Sequence, residues 1–78
     1  MLEVLVRGCI GEAEEAAALR GLPLVAVSTY HATHNETTVR VPTWCYAAVV
    51  AWYCEPQGPP YPAGTALYYN TKVMLPTP

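Results

Sequence analysis

Residues 42–54 read PTWCYAAVVAWYC, a run without one formal charge. Thr43 follows Pro42 in the position of an N-cap, and Glu55 with Pro56 ends the run, so the stretch reads as a helix. Apolar and aromatic residues occupy every side of it. Trp44, Ala48 and Trp52 fall on one stripe, with Trp44 expected at the buried start of the helix; Tyr46, Val50 and Tyr53 fall on another. A helix that is apolar all round must be covered all round. A two-layer domain covers one side only, so the second side needs either the following Pro-rich segment, through Tyr61 or its prolines, or a partner. Trp and Tyr are the enriched anchors of interfaces, which makes Tyr46, Trp52 and Tyr53 candidate partner-binding residues.

On the N-terminal side of this helix the hydrophobic period changes in an orderly way. Leu2, Val4 and Val6 alternate with Glu3, Leu5 and Arg7, the pattern of a strand with one buried face. Gly8 breaks the pattern. Residues 11–20, GEAEEAAALR, are strong helix formers, with acidic residues at the start and Arg20 at the end as the helix dipole favours. Gly21 and Pro23 supply the stop. Residues 24–33 and 37–41 read as two strands of a hairpin, rich in Val, Thr and Tyr. An odd loop sets Val25 and Val27 on the face of Val39 and Val41; an even loop sets Tyr30 and Ala32 there. The odd loop is the expected one, because it gathers the valines.

After the apolar helix, residues 55–64 form a Pro/Gly-rich extended connection, and residues 65–70 a fourth strand that resumes at Lys72 before a frayed end at 75–78. The order strand, helix, strand, strand, helix, strand predicts one α+β domain over residues 1–78. The expected form is a two-layer βαββαβ ferredoxin-like sandwich: a four-stranded antiparallel sheet with two helices on one face. A rival layout leaves the Pro-rich tail as an arm that pairs with a neighbour. At this length few side chains can be spared from packing, so function is expected on a surface or at a turn.

Several chemistries are disfavoured by the residues present. His31, His34 and Glu36 lie in HATHNE, residues 31–36, but strand running into turn sends positions 31 and 34 to opposite faces; they read as hairpin-tip residues, and neither a metal nor another cofactor is expected. Asp is absent and Ser28 is the lone serine, on a strand, so an acyl-transfer triad is not indicated. Cys9, Cys45 and Cys54 lack zinc-site spacing and are expected as free thiols. Cys9 precedes a helix, but the nearby glutamates disfavour its thiolate. The protein is expected not to be an enzyme; a metal-dependent one would rest on His31 and His34 alone.

Net charge is −2, and the cations Arg7, Arg20, Arg40 and Lys72 are dispersed, which gives no footprint for direct nucleic-acid binding. No apolar run is long enough to cross a membrane, and glutamates interrupt the N-terminus before a secretory signal can form. A soluble cytoplasmic protein is expected. Glu12, Glu14 and Glu15 form a second candidate partner-binding patch, able to meet a basic groove. A small, motif-free, mildly acidic α+β chain with reduced cysteines and an aromatic contact surface resembles the phage-encoded inhibitors of the anti-CRISPR type, a resemblance of class rather than motif. It implies stoichiometric binding to a bacterial effector complex, such as a CRISPR effector subunit in the host cytoplasm, by occluding a nucleic-acid-binding or assembly surface. The net charge differs from that of strongly acidic nucleic-acid mimics. A reading from another class is a ferredoxin-like regulatory domain that binds a small ligand at a dimer interface; homodimerisation is compatible with both.

Overall fold

The computed structural model describes residues 1–55 and 58–69. Its elements are β1 (Leu2–Arg7), α1 (Ile10–Leu19), β2 (Ala26–His31), β3 (Glu36–Val41), a 3-10 turn (Thr43–Cys45), α2 (Tyr46–Tyr53) and β4 (Ala66–Tyr69). The strands form one open sheet in the order β2-β3-β1-β4 with every neighbouring pair antiparallel, so the chain is a small α+β fold with two helices. β4 pairs with β1, which removes the rival layout in which everything beyond the second helix is a detached arm. The expected resumption at Lys72 and the frayed end at 75–78 lie outside the described residues.

The alternation of β1 is realised directly. Leu2, Val4 and Val6 are fully buried, while Glu3, Leu5 and Arg7 are half-buried on the opposite face. The buried set joins Val39 and Val41 of β3, Ala13, Ala16 and Ala17 of α1, and Val49 and Trp52 of α2 in one apolar cluster. Full burial of a side chain of Val or Leu size contributes about 1.5–3 kcal/mol, so the central strand pair carries much of this small core.

Gly8 ends β1 because the backbone must turn there with φ of 124°. A Cβ at this position would be strained by that φ and would also lie 2.8 Å from Glu12 Oε1 and 3.0 Å from its Cβ, so Glu12 would have to shift to admit a side chain. The turn is held from β3, where the buried Thr37 Oγ1 donates to the Gly8 carbonyl at 2.8 Å. α1 then starts one residue earlier than its composition suggests. Glu12 Oε1 accepts the Cys9 backbone N–H at 2.9 Å, satisfying a donor that the helix leaves unpaired.

The hairpin departs from the expected register in an instructive way. Residues 32–35 make a four-residue, even loop, with Asn35 at φ of 53°, a left-handed position that Asn tolerates. Tyr30 accordingly pairs with Thr37, but the register then shifts between Val27 and Thr29, and Val27 comes opposite Val39. A bulge thus reconciles the even loop with the gathering of Val27 onto the core. Val25 stays exposed, and β2 is shorter than the sequence suggested.

The larger correction concerns the apolar helix. Thr43 is not an N-cap: it begins a 3-10 turn, its hydroxyl accepts a hydrogen bond from the Met1 ammonium, and the α-helix proper starts at Tyr46. The extra winding of the 3-10 turn changes which residues face inward. Cys45, Val49 and Trp52, spaced i, i+4, i+7, are buried, whereas Trp44 is 75% exposed. The expected roles of the two tryptophans are therefore exchanged.

Candidate functional site

Trp52 is excluded as a contact residue by its 1% exposure. Its indole N–H donates to the Gly64 carbonyl at 2.9 Å, so it fastens the folded-back Pro-rich connection to α2. The Arg20 guanidinium lies 4.7 Å from the centre of the Trp52 ring. The same guanidinium makes two hydrogen bonds to Glu55, at 3.0 and 2.7 Å, and one to the Ala16 carbonyl at 2.8 Å. One arginine thereby ties the C-terminal ends of both helices across an aromatic face. The Arg20 hydrogen bonds hold the Glu55 carboxyl below the ordinary carboxylate range; burial opposes them, and the Arg20 charge adds a still smaller effect in their favour.

Trp44 and Tyr46 form the outward surface at the start of α2, Tyr46 being 49% exposed. Tyr53, at the other end of the helix, is also exposed, but it belongs to a different surface. It lines a depression of about 540 Å³ with Tyr61 of the connection, Tyr68 of β4, Leu5, Glu36 and Glu55. Tyr61 therefore does return toward this side of α2, and it leaves Tyr53 accessible. The sequence reading missed Tyr68. The pairing of Tyr68 with Leu5 puts it on the open face of the sheet, a signal available once β1 and β4 are set side by side.

The acidic patch is divided. The Cys9 backbone N–H, followed by its thiol, holds the Glu12 carboxyl below its ordinary range, so this group is committed to the helix start. Glu14 and Glu15 are exposed. Across the hairpin, His31 pairs with Glu36, while His34 lies in the loop and its carbonyl accepts Arg7 Nη1 at 2.7 Å. His31 Nε2 lies 3.5 Å from Thr38 Oγ1. Among the described residues no group of three or more His, Cys, Asp or Glu side chains is placed to hold a metal ion. Cys9 and Cys54 are exposed free thiols; Cys45 is buried, and burial pushes its thiol up from the ordinary value.

No helix among the described residues is long and apolar enough to cross a membrane. Comparison with protein-family models, with curated proteins and with solved structures finds no match.

Proposed function

We propose that the chain is a protein-binding module, not an enzyme, whose principal contact surface is the start of α2. The observation that carries this reading is Trp44, at 75% exposure, next to the exposed Tyr46. A tryptophan in that state gains more from burial against a partner than almost any other side chain, and such residues dominate binding energies. Within this reading the class resemblance supplies the specific form: a stoichiometric inhibitor of a bacterial effector complex, of the anti-CRISPR type, that occludes a nucleic-acid-binding or assembly surface. Glu14 and Glu15 would add electrostatic steering toward a basic groove.

The test is capture of a stoichiometric partner from bacterial lysate, followed by direct titration of that partner. Trp44→Glu should weaken binding by roughly tenfold or more, the scale of a hot-spot residue, while the unfolding transition stays cooperative. A partner bound equally well by wild type, Trp44→Glu and Tyr46→Glu would remove this surface from consideration.

The second reading, a ferredoxin-like regulatory domain that binds a small ligand at a dimer interface, is favoured by a different observation. The edge strand β2 is exposed at five of its six residues and carries no Lys, Arg, Asp or Glu, so a second copy could extend the sheet there. The ferredoxin-like assignment is itself a proposal. The element order and the order β2-β3-β1-β4 support it; the 3-10 turn and two register shifts are local departures. Sedimentation that reports a monomer at every concentration, with and without metabolite pools, would rule this reading out.

A further inference from the structure

The geometry points to a second, separate site: the tyrosine-lined depression beside β4 receives a guanidinium group, the arginine side chain of a protein partner. Three elements converge to make it. Tyr53 comes from the end of α2, Tyr61 from the Pro-rich connection and Tyr68 from β4, with Leu5 and the carboxylates Glu36 and Glu55 completing the wall. Its volume of about 540 Å³ falls within the range of small-ligand sites, roughly 300–1,000 Å³. Ring faces carry negative electrostatic potential, so aromatic rings together with a carboxylate select an organic cation over a neutral or anionic group.

The two carboxylates are not equivalent. Glu55 already accepts two hydrogen bonds from Arg20. Glu36 stands 3.7 Å from Arg7 Nη1, beyond hydrogen-bond length, while that nitrogen donates to the His34 carbonyl at 2.7 Å. Glu36 therefore keeps acceptor capacity for an incoming donor. The molecule also displays the chemistry in its own fold, because Arg20 lies over Trp52 and is gripped by Glu55, which itself lines the depression. Arginine suits such a site better than lysine. Its planar, weakly hydrated guanidinium stacks on rings and loses less hydration on entering a shallow site.

This inference rests on the protein-binding reading only for the source of the arginine, and the experiment separates the two. The probe is a capped Gly-Arg-Gly peptide titrated into protein with labelled tyrosine rings, with the citrulline peptide as its neutral isostere. The arginine peptide should shift the Tyr61 and Tyr68 ring signals saturably in the millimolar range, with citrulline roughly tenfold weaker. Glu36→Gln should weaken arginine binding roughly fivefold and Tyr68→Ala by a similar factor, each with a native amide spectrum. Equal binding of the two peptides, no saturable shift, or natively folded Glu36→Gln and Tyr68→Ala variants that both bind as wild type would each overturn the assignment. Trp44→Glu should leave the arginine response unchanged, so loss of partner capture in that variant bears on the protein-binding reading alone.

Discussion

At the scale of single residues, the two tryptophans separate stability from recognition. Trp52 is the one aromatic side chain in the buried set among the described residues, surrounded by Val, Leu and Ala. Trp52→Ala should lower unfolding free energy by about 3–5 kcal/mol, enough to leave a domain of this size marginal or unfolded. Trp52→Phe keeps most of the volume but leaves the Gly64 carbonyl without its indole donor and Arg20 over a weaker ring, so an intermediate loss is expected. Trp44→Ala should change stability by no more than about 0.5–1 kcal/mol. Urea titration of the three variants checks the order; comparable losses for Trp44→Ala and Trp52→Ala would contradict the burial assignment. The exchange of roles was not legible in residues 42–54 for a physical reason. With apolar residues on every side, the buried stripe Cys45, Val49, Trp52 has no polar stripe to contrast with, and a pattern started at Thr43 phases it wrongly.

At the scale of elements, β1 and α1 were readable because each has contrast: the charged Glu3 and Arg7 stand in alternation with Leu2, Val4 and Val6, and glutamates crowd one end of an alanine-rich helix. The hairpin was readable as a hairpin but not in register, because a bulge costs one residue of phase and leaves no mark in a strand of mixed Ala, Val, Ser and Thr. Substitutions at two positions, Asn35 in the hairpin loop and Gly8 in the turn it bonds to, test this geometry. Asn35 holds a left-handed conformation and accepts the Tyr30 hydroxyl at 2.9 Å. Asn35→Val should cost about 1–2 kcal/mol, whereas Asn35→Gly should stay within about 1 kcal/mol of wild type. The Asn35 carbonyl accepts the Gly8 N–H at 2.7 Å, and at that second turn Gly8→Ala forces a Cβ against Glu12 in a backbone conformation that disfavours it, which should cost about 2 kcal/mol or more. Chemical denaturation measures both, and amide exchange at Cys9 reports whether the Glu12 hydrogen bond is lost in the Gly8 variant.

At the scale of the whole molecule, the order of elements followed from the succession of periods, and the single core follows from that order. The convergence of Tyr53, Tyr61 and Tyr68 did not, since it depends on how the connection between α2 and β4 returns, and a Pro-rich run states only that it is extended. The ion pair between Arg20 and Glu55 contributes to the acid limb of stability. Glu55 has its carboxyl depressed in the folded state, so its contribution is complete above the ordinary Glu value of 4.5 and is lost as pH falls through the lower folded value. Glu12 acts in the same direction. Glu55→Gln should therefore lower stability at neutral pH and flatten its decline in acid, as thermal unfolding followed between pH 7 and pH 3 would show; an unaltered acid limb would mean that Arg20 does not favour the charged form. The placement of the tryptophans has one more consequence, which is optical. A chain with one indole in solvent and one in the core, the latter capped by a guanidinium, carries two reporters with separable spectra. Iodide should quench Trp44 emission and spare Trp52. A partner that covers the start of α2 would then announce itself as lost quenching and a blue shift, and loss of the fold as a red shift of Trp52, with no dye attached.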